Sequence, residues 1–351
     1  MLYKQDWEKT KKRFEQWWAN ENTDRPVIQI WAPKKGPHVK TDYKDLTLIN
    51  NLDKIEWVID EFEKSCQNVF FGGEAIPVFF PNLGPGIVSA YLGAKPDVRN
   101  DTVWFETPKT WDEIRKTGFD PENNWWKKTI EATRISAEKG KDKWVTGITD
   151  LGGNLDVAAS LRKTEDFLMD MVDSPEEVEA FCRKINKVLL KTFDELFDIT
   201  QKYAPGISSC MEKWHPGRWY PLQCDFSAMI SPKMFERFVL PMLQEQARSL
   251  DRCIYHMDGP NQIPHLDMLL EVPEITGIQW LPGAGCPSSG SPKWVDMCRK
   301  IQAKGKLLVM DCVPFKDFES IISNYSPKGL LIAGRAGTEE EARAFLAKYE
   351  R

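Results

Sequence analysis

The chain has 351 residues, of which 42% are hydrophobic and 28% charged, a composition that is ordinary for a protein with a well-filled core. Its formal charge of −5 provides no basic field for a nucleic acid, and the lack of any apolar run of about 18 residues excludes a membrane-spanning helix. The N-terminal segment is charged and the eight cysteines are scattered without a CxxC pair, so we expect a cytoplasmic protein with reduced thiols.

Short apolar runs alternate with longer amphipathic segments along the chain. Each run has about the length of a strand that is buried on both faces. Repeated strand–helix units predict a parallel sheet, and eight of them predict closure into a barrel. We therefore expect an α/β fold, a single (β/α)8 TIM barrel formed by one domain over residues 1–351. The predicted strands are Val27–Trp31, Asn68–Phe71, Trp144–Thr149, Ile207–Met211, Cys253–His256, Gly277–Trp280, Leu307–Met310 and Leu330–Ala333.

The segments between these runs have helical periodicity. Pro175–Tyr203 and Pro232–Leu250 are each preceded by a serine and open with a proline, which is typical of a helix N-terminus. The long stretch Gly72–Lys143 contains a Gly/Pro-rich loop, a β excursion at Val103–Phe105 and two helical pieces. We interpret it as an insertion between strands two and three that lies over the mouth of the barrel.

Polar residues cluster at the ends of the predicted strands. In a parallel barrel these ends meet at one face, where active sites lie. Carboxylates, histidines and an arginine in such positions predict an active site for a small-molecule substrate. Tyr91 in the insertion and Asp225 before a helix add to this set. In chain order the strand-end residues are Glu74, Asp150, Glu212, Trp214, His215, His256, Asp258, Gln279, Trp280, Asp311 and Arg335.

Several of these residues also have a structural explanation. Glu74 follows two glycines and suits a tight turn, and Asp225 suits a helix N-cap. Arg335 suits an ion pair with Asp311, and Tyr91 suits packing in the insertion. For these positions the sequence leaves both interpretations open.

Segments spread over nearly the whole chain resemble the uroporphyrinogen-decarboxylase superfamily. The most specific match is Asp225-Phe226-Ser227 with Ile230-Ser231-Pro232, and Tyr255-His256-Met257-Asp258-Gly259 and Gly334-Arg335-Ala336-Gly337 follow it in order. This superfamily includes the decarboxylase and methyltransferases that work with corrinoid (cobalamin-type) cofactors. The resemblance implies a barrel enzyme, a separate corrinoid protein as partner of a methyltransferase, and a homodimer, because barrels of this superfamily often dimerise.

Two departures from the superfamily's patterns bear on the reaction. The decarboxylases proper have an arginine-bearing loop after the first strand, whereas this chain has Trp31-Ala32-Pro33-Lys34-Lys35-Gly36. Lysine does not replace the bidentate fork of arginine, so we do not expect a decarboxylase proper. The zinc methyltransferases have His-x-Cys after strand five and Cys after strand eight. This chain keeps His256 but has Asp258 and Arg335 at the other two positions, so that thiolate-rich zinc site is absent.

The resemblance and the remaining residues favour a methyltransferase that moves a methyl group from a small O- or N-methyl substrate to a corrinoid protein. We expect His256 to act as the acid, oriented by Asp258, with Arg335 and Asp311 positioning the substrate. A bound divalent metal such as zinc is a further hypothesis. The predicted substrate-binding residues are Glu74, Tyr91, Glu212, Trp214, Asp225, Gln279 and Trp280, and the hypothetical metal ligands are His256, Glu74 and Glu212.

The same set of residues also suits a cofactor-independent decarboxylase or lyase of a small carboxylate. In that reaction an acid protonates the substrate carbon while the arginine holds a carboxylate. A non-catalytic binding barrel is a third hypothesis, against which the many ionisable residues at the predicted mouth argue. The sequence does not separate the first two.

Overall fold

The computed structural model describes residues 1–99 and 102–349. Its strands are Val27–Pro33 (β1), Val69–Gly73 (β2), Val78–Phe79 (β3), Pro96–Val98 (β4), Val103–Phe105 (β5), Val145–Thr146 (β6), Trp219–Gln223 (β7), Arg252–Asp258 (β8), Gly277–Leu281 (β9), Leu307–Met310 (β10) and Leu330–Arg335 (β11). Its α-helices are Trp7–Trp18 (α1), Ile55–Cys66 (α2), Val88–Tyr91 (α3), Trp111–Lys116 (α4), Asn124–Gly140 (α5), Asn154–Arg162 (α6), Thr164–Asp173 (α7), Pro175–Gln201 (α8), Pro232–Phe238 (α9), Leu240–Arg248 (α10), Leu266–Leu270 (α11), Val295–Ala303 (α12), Phe318–Asn324 (α13) and Glu339–Leu346 (α14). Short 3-10 helices occur at Ile49–Asn51, Asp225–Met229, Pro260–His265, Pro292–Trp294 and Phe315–Asp317.

Seven strands form the main sheet, in the order β2-β1-β11-β10-β9-β8-β7. Neighbouring strands in it run parallel, except that β1 and β2 are antiparallel. A two-stranded parallel sheet joins β3 to β6, and β4 and β5 form an antiparallel hairpin. The fold is therefore α/β with a mostly parallel sheet, which confirms the predicted class.

The second predicted strand, Asn68–Phe71, does not join the parallel arrangement, so this part of the prediction is wrong. It forms β2, which runs antiparallel to β1 with Phe71 opposite Trp31. The chain turns directly after it at Gly73, whose φ is +59° and where a Cβ would lie 2.1 Å from the Ile28 carbonyl oxygen. Only glycine fits this turn. The strand that pairs in parallel with β6 is β3, whose two residues are too few for a sequence pattern to reveal.

The fourth predicted strand is also misplaced. Ile207–Met211 forms isolated bridges, one of them parallel between Gly147 and Ser208. The strand that pairs in parallel with β8 is β7, which the sequence pattern does not indicate because Pro221 lies in its middle. Proline cannot donate to a ladder, so it argues against a central strand. β7 tolerates it because this strand lies at the edge of the main sheet.

Closure of the barrel stays a prediction, because over residues 1–99 and 102–349 the main sheet and the β3–β6 sheet are not joined by a continuous ladder. The insertion predicted over Gly72–Lys143 contains β3, the β4–β5 hairpin and the helices α3, α4 and α5. The helix predicted over Pro175–Tyr203 corresponds to α8. Pro232–Leu250 is divided into α9 and α10 at Val239, since Pro241 lacks the N–H that one continuous helix requires.

Helix α1 covers the end of the main sheet that lies opposite to the carboxyl ends of its strands. Trp17 and Trp18 are buried, and their indole N–H groups donate to the carbonyl oxygens of Gly329 (3.0 Å) and Trp214 (2.8 Å). These two carbonyls precede β11 and β7, so the bonds attach α1 to the start of both strands. No helix in the described part of the chain is both long and apolar enough to cross a membrane.

Glu74 forms a buried ion pair close to this sheet. Its carboxylate accepts two hydrogen bonds from the Arg25 guanidinium (2.6 and 2.9 Å) and one from the Ile28 N–H (3.0 Å). Only 3% of the Glu74 side chain is exposed. The ion pair therefore ties the segment before β1 to the turn after β2.

We expect Glu74→Ala to lower the free energy of unfolding by about 3–5 kcal/mol, because it removes the carboxylate from a buried guanidinium. Urea unfolding followed by circular dichroism measures the change. Glu340→Ala, which removes an exposed partner of Lys35, is the control and leaves stability nearly unchanged. Wild-type stability combined with loss of ligand binding in Glu74→Ala would favour the binding role that the sequence suggests.

Candidate active site at the carboxyl ends of the strands

A cavity of about 640 Å³ opens at the carboxyl ends of the strands of the main sheet. Its walls come from β1, β7, β8, β9 and β11 and from the segments that follow β6 and β10. Ionisable side chains that converge in one concave, partly apolar site are typical of an enzyme's substrate-binding site. The acidic, basic and amide side chains in its lining are Asp150, Glu212, Lys213, Gln223, Asp225, His256, Gln279, Asp311 and Arg335.

A hydrogen-bonded row of four side chains runs from Lys213 to His256. The Lys213 ammonium donates to Asp311 Oδ1 (2.7 Å), and the Gln279 side-chain amide donates to Asp311 Oδ2 (2.5 Å). The Gln279 Oε1 atom lies 2.6 Å from His256 Nδ1. Lys213 and Gln279 are buried, and 19% of the His256 side chain is exposed. Adjacent strands supply the last three members, because His256 of β8 lies opposite Gln279 of β9 and Asp311 follows β10.

This row of hydrogen bonds determines which nitrogen of the His256 ring carries a proton. A carboxylate only accepts hydrogen bonds, so Gln279 presents its NH2 group to Asp311 and its carbonyl oxygen to His256. The Nδ1 atom of His256 must then carry a proton, whether the ring is neutral or charged. It follows that Nε2 is the nitrogen that gains and loses a proton. The sequence assigns the orientation of His256 to Asp258, whereas the hydrogen-bond partner in the structure is Gln279.

Two carboxylates surround the other side of the His256 ring. Asp225 Oδ1 lies 3.9 Å from His256 Nε2, too far for a hydrogen bond but within the range of an ion pair when the ring is protonated. Asp258 completes a cluster in which one ligand atom from each residue lies within 4.8 Å of the others. Burial raises the pKa of Asp258. Asp225 itself is exposed over 56% of its side chain, so this cluster is open to incoming molecules.

Asp150 lines this acidic end of the cavity, and Asp156 adjoins it through Asp225. Asp150 accepts a hydrogen bond from the Gln223 amide (3.1 Å), and burial raises its pKa to about 6. Asp156 accepts from the backbone N–H groups of Asp225 (3.2 Å) and Phe226 (2.7 Å), and burial together with the charge of Asp225 raises its pKa to about 7. Asp156 therefore caps the 3-10 helix that begins with Asp225, whereas the sequence offered the capping role to Asp225 itself.

Arg335 and Glu212 occupy the opposite end of the cavity. Arg335 is exposed at the end of β11, where its register partner on β1 is Trp31. Its guanidinium makes no hydrogen bond or ion pair with a residue in the ranges described, and Asp311 pairs with Lys213 instead. Glu212 has a φ of +55°, a left-handed conformation that costs a non-glycine residue about 1–3 kcal/mol. Burial raises the pKa of Glu212 to about 7, while Lys213 and Arg335 oppose the rise.

Most residues that the sequence singles out line this cavity or adjoin it. Asp258 adjoins it through the cluster with His256. The others are Asp150, Glu212, Asp225, His256, Gln279, Asp311 and Arg335.

Glu74 and Tyr91 lie elsewhere. The carboxylate of Glu74 is engaged by Arg25, as described above. The Tyr91 hydroxyl donates to Thr129 Oγ1 (2.7 Å), and its ring packs edge-on against Trp126 inside the insertion. The hypothetical metal ligands Glu74 and Glu212 do not belong to the ligand cluster that the structure forms around His256.

Trp214 and Trp280 also lie outside the cavity, because consecutive side chains of an extended chain point to opposite sides. Gln279 and Lys213 point into the site, so Trp280 and Trp214 point away from it. Trp280 is fully buried against Trp294, with ring centroids 5.0 Å apart. Trp214 packs edge-on against Trp7 of α1.

The sequence interpretation missed Lys213, Gln223 and Asp156. Lys213 stands between Glu212 and Trp214, yet no local pattern distinguishes a fully buried lysine from a solvated one. Gln223 belongs to β7, which the sequence did not predict as a strand. Asp156 lies on α6 and reaches the site through backbone N–H groups that are about 70 residues further along the chain.

No protein-family model matches the sequence, and no curated protein matches it. Among solved structures, the chain is similar to a methyltransferase from Methanosarcina mazei, with a TM-score of 0.64 and 12% sequence identity. The superposition covers 97% of this chain and 98% of that chain. At this identity, the likeness establishes a shared fold over nearly the whole length of both proteins.

We expect nitrogen-15 NMR of histidine-labelled protein to show His256 in the Nδ1–H tautomer when the ring is neutral, because Gln279 accepts that proton. In Gln279→Leu the Nε2–H tautomer should gain population, since the acceptor is lost. The chain has four histidines, and a His256→Gln spectrum assigns the resonance. Gln67→Leu, at an exposed position, is the control. If the tautomer of His256 is the same in Gln279→Leu as in the wild type, Gln279 does not hold the proton on Nδ1.

The pH dependence of stability tests the environment of Glu212. Its pKa in the folded protein, about 7, lies above the ordinary value of 4.5, so the folded state holds the proton more tightly than the unfolded state. The contribution of this group to the free energy of unfolding therefore falls as the pH rises from about 4.5 to 7. We expect Glu212→Gln to gain stability relative to the wild type across this window, in urea titrations at successive pH values. A difference that does not change with pH would contradict the shift.

Proposed function

We propose that this chain is a methyltransferase that transfers a methyl group from a small O- or N-methyl substrate to a corrinoid carried by a separate protein. The proposal rests on the position of the His256 imidazole in a cavity large enough for a small substrate. Gln279 binds its Nδ1 atom, so that Nε2 faces Asp225 and the cavity. The shared fold with a methyltransferase agrees with this proposal.

The chemistry that His256 can supply is a proton for the leaving atom. When a methyl group leaves oxygen, the electron pair of the carbon–oxygen bond passes to the oxygen, which requires a proton or a positive charge. In its charged form, His256 carries a second proton on Nε2, which lies 3.9 Å from the Asp225 carboxylate. Donation of that proton to the oxygen returns the ring to the Nδ1–H form that Gln279 accepts. The reduced corrinoid, as second substrate, accepts the methyl carbon.

A second cavity supports a reaction of two substrates. It has a volume of about 620 Å³ and shares Pro85, Gln223 and Asp225 with the first cavity. Methyl transfer requires the nucleophile and the leaving atom on opposite sides of the methyl carbon. Two cavities that adjoin at Asp225, next to His256, provide room for this approach. Exposed Trp104 and Met229 at the second cavity offer apolar contact to a partner protein.

The cluster of Asp225, His256 and Asp258 fits a divalent metal in the kind of atoms it offers. It supplies one imidazole nitrogen and two carboxylate oxygens. Gln279 accepts the proton on Nδ1, as a neighbour of a metal-binding histidine commonly does. A metal held by these three residues would take the place of the Nε2 proton of His256 and would itself polarise the leaving oxygen as a Lewis acid. This ligand set replaces Glu74 and Glu212, which we had expected beside His256.

We also propose that the sheets are parts of one (β/α)8 barrel of the uroporphyrinogen-decarboxylase superfamily. The parallel bridge between Gly147 and Ser208 extends the β3–β6 pair towards the segment before β7. The Tyr220 hydroxyl of β7 also donates to the Thr149 carbonyl (2.6 Å) and accepts from the Leu151 N–H (2.8 Å) after β6. Side chains thus connect the two sheets where their ladders do not.

We expect His256→Gln to lower the rate of methyl transfer by about 10²–10⁴-fold, since general acid catalysis contributes that much. The assay mixes the protein with cob(I)alamin and a panel of O- and N-methyl donors and follows methylcobalamin by absorbance. His38→Gln, in an exposed loop, is the control with wild-type activity. A wild-type rate in a correctly folded His256→Gln variant would remove His256 from the mechanism.

The same assay tests the proposal as a whole, together with metal analysis of protein purified without a chelator. Methylcobalamin formation establishes methyl transfer. If the wild type contains a stoichiometric metal and both Asp225→Asn and Asp258→Asn lack it, these two aspartates are metal ligands. No transfer across the panel, combined with release of carbon dioxide from a small carboxylate, would overturn the proposal in favour of a cofactor-independent decarboxylase.

A further inference from the structure

Arg335 is a positively charged side chain of the cavity wall that forms no ion pair with a described residue. The other permanent cation in the lining, Lys213, is fully buried and paired with Asp311 at 2.7 Å. Arg335 is exposed, and its guanidinium makes no hydrogen bond or ion pair with any residue in 1–99 or 102–349. Glu212 lies near enough for Arg335 to influence its ionisation, but the two are not paired. The planar guanidinium is therefore available to bind a planar anion in bidentate geometry.

A flat apolar surface lies next to this arginine. Trp31 and Arg335 are register partners on the neighbouring parallel strands β1 and β11, and both line the cavity. Indole offers one of the largest apolar faces of any side chain, and it stacks well on another ring. A ligand whose carboxylate meets Arg335 therefore has its adjoining carbon atoms close to Trp31.

The order of the strands determines the distance between His256, the proposed acid, and Arg335, the proposed binding site of the anion. In the main sheet β11 and β8 are separated by β10 and β9, which makes three steps between neighbouring strands. At about 4.8 Å a step, the two strands lie roughly 14 Å apart along the sheet. The side chains of Arg335 and His256 both extend into the cavity and take up part of this span. A benzene ring between the anion and the methylated atom fits the remainder.

We propose that the methyl donor is an aromatic carboxylate with a methoxy group on the far side of the ring from the carboxylate, bound by Arg335 and Trp31 with its methoxy oxygen at His256. This inference rests on the proposed methyltransferase function. In the reaction the methyl–oxygen bond breaks and its electron pair stays on the phenolic oxygen. His256 Nε2 donates its proton to that oxygen, which gives a phenol, and the reduced corrinoid takes the methyl group. An oxygen donor suits this site because a phenoxide requires the proton, whereas an ammonium nitrogen leaves as a neutral amine.

The experiment measures binding by calorimetry in the absence of a corrinoid, so that it does not depend on turnover. The probes are 4-methoxybenzoate, the uncharged 4-methoxytoluene and the cationic 4-methoxybenzylamine. We expect the benzoate to bind at least about tenfold more tightly than the other two, and Arg335→Gln to abolish the preference. Arg335→Lys should retain only part of it, since lysine lacks the fork. Arg134→Gln, on the exposed face of α5, is the control that keeps the preference.

Equal binding of the benzoate and the toluene, or an unchanged preference in Arg335→Gln, would overturn the inference. Tighter binding of the benzylamine would also overturn it, and would assign substrate anchoring to the acidic end around Asp225. The geometry is tested with 2-methoxybenzoate, which should bind to the same arginine but lose no methyl group, because its methoxy oxygen stays near Arg335. If the benzoate preference depends on Arg335 but no methoxy compound is demethylated, the anion anchor stands and the methyltransferase proposal fails.

Discussion

The buried ammonium of Lys213 is the constraint on which the site depends. A charge without access to water is tolerated only with a charged, hydrogen-bonded partner, because its burial otherwise costs several kcal/mol. Asp311 meets this requirement with one carboxylate oxygen and accepts from Gln279 with the other. Asp311 thereby decides which way the Gln279 amide faces. Through Gln279, the ion pair between Lys213 and Asp311 thus determines which nitrogen of His256 carries a proton.

The order of the strands makes this arrangement compact. β8, β9 and β10 are neighbours in the main sheet, so His256, Gln279 and the residue after β10 lie side by side although they are far apart in sequence. Lys213 comes from outside these strands, from the irregular segment before β7. There the left-handed φ of Glu212 turns the chain, and the Glu212 carbonyl accepts a hydrogen bond from Gln29 of β1 (2.9 Å). Strain at this residue places the lysine opposite Asp311.

The charges of the cavity are divided between its two ends, and this division bears on its chemistry. Asp225 and Asp258 adjoin His256, while Asp150 lines the same end of the cavity and Asp156 contacts Asp225. Arg335 lies at the other end beside Trp31 and near Glu212, where it can hold an anion away from these four aspartates. A substrate with an anion at one end and a proton-accepting atom at the other satisfies both ends. The same division gives the metal hypothesis a definite place, at the acidic end.

The amino-acid sequence by itself determined the α/β class and most of the charged and amide side chains that line the cavity. Apolar runs of strand length and polar residues directly after them are local features, and parallel strands bring their ends to one edge. The sequence could not determine that Asn68–Phe71 runs antiparallel, that Pro221 lies in an edge strand or that Trp280 points away from the site. It also could not determine the partners. Whether Arg335 or Lys213 pairs with Asp311, and whether Asp258 or Gln279 orients His256, depends on contacts between residues that are distant in the chain. Only the tertiary structure decided these questions, because hydrogen bonds and burial depend on positions in space, which a local pattern does not specify.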